Sequence, residues 1–230
     1  MDKILFDKRH RLADVITAYP SLLLTLQRVG IPLGFGDSTI EAVCNKHNVD
    51  TDFFLLMCNV QAHNDYVPSI ATIKATNMSG LVPYLEASHN YYMTKRLPHI
   101  AEHIGRIAQQ LPGERVQRAF EAFFQAYQAE IESHFADEEK NVYPYILELQ
   151  QGRRGNYKIR DFLALHGNLQ DKLDDLTQII FKYLPASVTS DDSIDVVLDI
   201  LQLSSDLKKH NLIEEKVMVP YVELIEKKVK

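Results

Sequence analysis

The chain has 230 residues, 46% of them hydrophobic and 24% charged, a composition that fits a folded protein of one domain or two small ones and excludes disordered and fibrous classes. Nine Gly and nine Pro fall below the usual shares of roughly 7% and 5%, which favours helices over turn-rich β architectures. The balance of 25 Lys and Arg against 31 Asp and Glu gives a formal charge of −6, so the broad attraction that holds nucleic acid or an anionic membrane surface is missing.

The first residues, Met1 to Arg9, have neither the apolar core nor the small-residue cleavage site of a signal peptide, and no stretch reaches the ~20 apolar residues of a membrane span. A cytoplasmic location without nucleic acid or membrane partners is expected. Residues 12 to about 62 read as short helices: Pro20 opens one that stops at Gly30, Ser38 or Thr39 caps Ile40 to His47, and Asp50-Thr51-Asp52 caps Phe53 to Val60. They define a small helical domain over 1–62. Residues 63–80 lack helical periodicity, contain Pro68 and Gly80, and read as a linker.

Four long amphipathic segments then cover 81–111, 114–151, 157–184 and 191–228, within a second domain spanning 81–230. The breaks at Pro112-Gly113, Gly152 to Gly155 and Pro185 to Thr189 are short, so neighbouring helices run antiparallel. The fold class is all-α, an up-down four-helix bundle behind a small helical N-terminal domain. Pro98, Pro144 and Pro220 fall inside three of the segments, where each should bend or interrupt its helix. Cys44 and Cys58 are fourteen positions apart and form no C-x-x-C, which points to two buried thiols rather than a disulfide framework or a cysteine metal site.

Nine histidines are the unusual count, because His is the commonest metal ligand. Residues 134–146 and 210–222 both read H-x-x-x-E-E-K-x-x-x-P-Y-[I/V], at a constant offset of 76. Residues i and i+4 share a helix face, so His134 with Glu138 and His210 with Glu214 each make a chelating pair. His89 precedes His134 by 45 positions and His166 precedes His210 by 44. Each hairpin therefore supplies two histidines and a glutamate, and four imidazoles and two carboxylates converge on one level of the bundle. That set favours iron or manganese held as a pair, with bridging carboxylates and positions left for oxo, hydroxo or small-molecule ligands; Mn or Zn are the commonest misincorporations.

The remaining polar residues take milder readings. Glu139 and Glu215 point about 100° from the ligand face and read as surface carboxylates paired with Lys140 and Lys216. His99 and His103 form an i,i+4 pair, but His103 lies about 21 Å along a helix from His89, so it cannot share the same metals; both read as surface histidines, with His10, His47 and His63. Glu130, one turn before His134, and Tyr92, three residues after His89, are candidates to orient ligands or move protons.

With these residues the sequence resembles the hemerythrin-type (HHE) di-iron bundles, and more closely the iron–sulfur cluster repair di-iron proteins of the Ric/ScdA/YtfE type. His89, His134, Glu138, His166, His210 and Glu214 match that family's ligand set of four His and two Glu. Oxygen-carrying hemerythrins resemble H-x-x-x-H on the third helix, where this chain has Gln170 after His166. The family's N-terminal domain commonly carries Cys-Cys followed by Gly-Gly, whereas the corresponding stretch here is Leu33-Gly34-Phe35-Gly36-Asp37.

The resemblance implies two non-haem irons and a role in restoring iron–sulfur clusters damaged by oxidative or nitrosative stress. Damaged iron–sulfur proteins would be partners, NO or O2 small-molecule ligands, and the chain a monomer or homodimer. Alternatives are reduction of NO to nitrous oxide, a non-enzymatic oxygen or NO sensor or iron store, and a bundle holding a metal for stability alone.

Overall fold

The structure, a computed structural model, describes residues 5–160, 162, 169–186 and 188–229. The chain is all-α: every named element is helical, and among the described residues the sole extended pairing is an isolated bridge between Arg11 and Thr39. Its contacts group into two compact units, residues 1–88 with 143–159 and 209–230, and residues 89–142 with 160–208.

The first unit opens with α1 (Leu12–Ala18), α2 (Leu22–Arg28), α3 (Ile40–Lys46) and α4 (Thr51–Ala62). Their starts follow local chemistry. Thr39 Oγ1 accepts the Ala42 N–H at 3.3 Å and Asp50 Oδ1 accepts the Phe53 N–H at 2.9 Å, each satisfying a donor that a helix start leaves open. Leu12, Leu22, Leu26, Ile40, Cys44 and Phe54 belong to one apolar core. Cys44 and Cys58 are free thiols buried there, and burial pushes the Cys44 thiol up to about 11 and that of Cys58 upward too, so both stay protonated and unreactive near neutral pH.

Residues 63–80 are less irregular than their composition suggests. They contain α5 (Ile70–Ala75), whose first turn is capped by Ser69 Oγ accepting the Thr72 N–H at 3.1 Å, and a 3-10 turn at Met78–Gly80. A helix of six residues is too short to display a period, so its cap carries the signal. Next comes α6 (Leu81–Tyr91). Its Tyr84 hydroxyl accepts a hydrogen bond from Gln61 at 3.3 Å and lies 3.5 Å from Thr25 Oγ1, while the Arg28 guanidinium sits 5.6 Å from the centre of its ring.

Beyond α6 come α7 (Leu97–Gln110), α8 (Glu114–Asp137), α9 (Tyr143–Gln150), α10 (Leu169–Tyr183), α11 (Ser190–Ile213) and α12 (Val219–Glu226). The second unit is the four-helix layer of this set. Ile100 and Ile104 of α7, Phe124 and Ile131 of α8, Leu173 and Leu176 of α10, and Ile200 and Leu203 of α11 share one core, recurring at the three- and four-residue spacing of a helix face. Gly113, with φ +80°, makes the turn from α7 to α8. The end of α7 is joined to the start of α11 by polar contacts: Asp192 accepts from Gln110 at 2.7 Å and from Arg106 at 3.3 Å, and Gln110 accepts the Thr189 N–H at 2.8 Å.

Pro98, Pro144 and Pro220 do not break their helices. Each sits two residues after a π turn, at Tyr92–Arg96, Glu138–Val142 and Glu214–Met218. Leu97 N–H donates to the Tyr92 carbonyl and Val219 N–H to the Glu214 carbonyl, five residues back. In a regular helix each proline would press on the carbonyl four residues earlier and leave it without a donor. Those carbonyls belong to residues 94, 140 and 216, inside the π turns, whose wider loop gives them room.

Candidate metal centre

The H-x-x-x-E spacing does in three dimensions what helix geometry requires. His134 Nε2 lies 3.0 Å from Glu138 Oε1, and His210 Nε2 lies 3.2 Å from Glu214 Oε1. A third imidazole meets the first pair from α6: His89 Nε2 is 3.2 Å from Glu138 Oε2. Both oxygens of Glu138 thus face imidazole nitrogens on different helices. His89, Glu138, His210 and Glu214 are buried to within 1% of complete. His134 is more open, with 17% of its side chain exposed.

His89 is held on three sides. Its ring stacks on Phe135 with centroids 3.8 Å apart and planes 14° from parallel, and Phe135 stacks in turn on the fully buried Tyr92 at 5.8 Å. On the far edge of the ring, Nδ1 lies 3.0 Å from Glu139 Oε1. A carboxylate there selects the tautomer with its proton on Nδ1, so the lone pair of Nε2 points at Glu138 and the buried pocket.

Glu139 is the residue that sequence reasoning placed elsewhere, as a surface carboxylate paired with Lys140. Half of its side chain is exposed, but its oxygen reaches back to His89. The reason is the π turn that begins at Glu138: residues spread over a wider turn diverge by less than the 100° of an α-helix. The repeated Glu-Glu in both motif copies was the available signal. Glu215, its counterpart, lies 3.7 Å from Lys216 as the spacing suggested.

The other candidate residues are more scattered. His166 lies outside the described residues. Glu130 is joined to Lys172 on the surface, and the ring of Tyr92 stacks on Phe135. The expectation of surface histidines fails for His103, which is 6% exposed, and for His63, half-buried with its ring 5.2 Å from that of Phe6 and 5.5 Å from that of Tyr19. His99 and His103 converge with Asp199, a residue 96 positions further on, beyond the reach of local spacing.

The profile of the hemerythrin HHE cation binding domain matches residues 81–223. The chain belongs to the hemerythrin HHE family. Comparison with curated proteins and with solved structures returns no significant match. The HHE match covers all of the π turns and both copies of the motif, and members of this family bind metal cations.

The residues present fit such an ion. Two donors each about 2.1 Å from one ion, at right angles, stand roughly 3.0 Å apart, and the three imidazole–carboxylate pairs are separated by 3.0 to 3.2 Å. Carboxylates as deeply buried as Glu138 and Glu214 are costly to keep charged unless cations face them. Borderline nitrogen and hard oxygen donors suit iron, manganese or zinc, and the two thiols lie apart in the core of the N-terminal helices.

Proposed function

We propose that the chain is a non-haem di-iron protein that takes part in restoring iron–sulfur clusters damaged by oxidative or nitrosative stress. The observation that carries this reading is the pairing of His89 and His134 with the buried Glu138, and of His210 with the buried Glu214, within an HHE chain. His89, His134, His166 and His210 would supply nitrogen donors and Glu138 and Glu214 carboxylate oxygens. Two irons held there would supply interconversion of ferrous and ferric states and open positions for a small ligand such as NO or O2.

The protein's own residues define the conditions of that chemistry. Phe135, stacked on the ring and backed by Tyr92, keeps bulk water from His89, which strengthens each charge interaction inside. Glu139 holds His89 in the tautomer that presents Nε2. The partial exposure of His134 leaves one edge of the cluster open, which suits loss or exchange of iron better than permanent storage. No helix among the described residues is long and apolar enough to cross a membrane, and a cytoplasmic site of action goes with the proposed clients.

The test is twofold. Anaerobically purified protein should contain two irons per chain by mass spectrometry, with a Mössbauer or EPR signature of a coupled pair, and His134→Ala/His210→Ala should abolish it. The loaded protein should then reactivate a NO-damaged iron–sulfur enzyme under reducing conditions. Nitrous oxide release from NO without reactivation would transfer the assignment to NO reduction, and a zinc-filled protein without either activity would leave the metal a purely structural role.

A further inference from the structure

The second cluster of metal-binding side chains lies on the opposite stretch of the same helical segment. His99 and His103 are one turn apart on α7, and both turn toward Asp199 of α11: His99 Nε2 is 3.2 Å and His103 Nε2 4.0 Å from the same oxygen, Oδ2. The two rings are 4.6 Å apart and nearly perpendicular. The other oxygen of Asp199 is engaged by Arg96, whose Nη1 donates to Oδ1 at 2.8 Å while its Nη2 donates to Gln202 at 2.9 Å. Arg96 thereby fixes the carboxylate plane and leaves Oδ2 facing the histidines.

We infer that His99, His103 and Asp199 form a second, mononuclear site for a divalent first-row transition cation such as Zn2+. Three observations carry it. Donors about 2.1 Å from a common ion stand between roughly 3.0 Å apart at right angles and 4.2 Å when opposed, and the separations of 3.2 and 4.0 Å fall in that interval. The longer one exceeds hydrogen-bonding reach, so a hydrogen-bonded His103–Asp199 pair does not account for it. His103 is also buried, its side chain 8% exposed, and its Nδ1 has no hydrogen-bond partner among the described residues; a buried imidazole that makes no hydrogen bond is costly, and ligation through Nε2 gives it a bonding role. Two imidazoles, one carboxylate and an edge open through the half-exposed His99 leave coordination positions for water or a further ligand.

The site stands apart from the HHE cluster. Ten residues separate His89 from His99, about 15 Å of helix, and no residue is shared. The inference is therefore independent of the di-iron reading.

Calorimetric titration of the full chain, as purified, with Zn2+ tests it, with His99→Ala as the variant because that side chain is half exposed and its loss leaves the core intact. The parent should take up one Zn2+ per chain more than His99→Ala, and Asp199→Asn should lose the same equivalent, while the metal content before titration is equal in all three. As a check free of variants, Zn2+ should protect His99 of the parent from carbethoxylation by diethyl pyrocarbonate, read by peptide mass spectrometry. Equal Zn2+ uptake by parent and His99→Ala, or unchanged labelling of His99 with Zn2+ present, overturns the site.

Discussion

Replacing Glu139 by Ala removes the acceptor on His89 Nδ1 without touching a proposed ligand. The contact is 3.0 Å long and its imidazole is 1% exposed, but half of the Glu139 side chain faces solvent. Solvent screening keeps its contribution to folding small, under about 1 kcal/mol. Its effect on ligation is larger, because the carboxylate fixes both tautomer and ring direction. Loss of such a partner typically weakens metal affinity by roughly 10- to 100-fold, or about 1.4 to 2.7 kcal/mol. Competition of the full chain against a chromophoric chelator for Fe2+ measures the affinity, and urea unfolding of the metal-free protein measures the folding term. Glu139→Gln keeps an acceptor and should fall between the parent and the Ala variant, while Glu132→Ala, on an exposed position of α8, should match the parent. An affinity for Glu139→Ala within twofold of the parent would refute the orienting role, as would a loss fully explained by a metal-free protein destabilised by several kcal/mol.

The hydroxyl of Tyr127 is buried without a hydrogen-bond partner among the described residues, so Tyr127→Phe should raise stability by about 1 kcal/mol, seen as a higher urea midpoint; a loss of that size would reveal a missed partner. Cys44 and Cys58 should resist iodoacetamide at pH 8 in the folded protein and react only on unfolding, and rapid native-state labelling would contradict their burial. Their folded pKa values are raised, so the stability they contribute is complete below the ordinary thiol range and drains away as pH climbs from about 9 through the value of about 11 for Cys44. The urea midpoint should fall over that window, and less steeply for Cys44→Ala/Cys58→Ala.

Much of the HHE cluster was legible because i,i+4 pairing depends only on local helix geometry: His134 with Glu138 and His210 with Glu214 needed nothing from the rest of the chain. His89 was legible through its matched spacing. Glu139 was not, because a uniform step of 100° per residue turns it off the ligand face, and a π turn lies where that step fails. The prolines carried the missing information, read as breaks when they were markers of wider turns. His103 escaped for a different reason: its partner Asp199 is brought in by tertiary packing, and an isolated H-x-x-x-H says nothing of burial. The helix at Ile70–Ala75 was too short for periodicity and depended on one capping serine.

The π turns also change what an amphipathic pattern means. Along the second long segment, Ile131, Phe135, Glu138, Val142, Ile146 and Leu149 are all buried, and their spacing of three and four runs on as though the helix were straight. The backbone beneath has meanwhile fallen behind by part of a turn, so one uninterrupted stripe in the sequence swings to a new bearing in space. The six-residue interval from the start of each π turn to its proline, 92 to 98, 138 to 144 and 214 to 220, acts as a phase joint of fixed length. Loops at the bundle ends can gain or lose residues freely, whereas one residue added inside this interval would re-aim everything downstream. A designer moving the His-Glu motif into an idealised straight bundle would have to carry the joint along with the ligands.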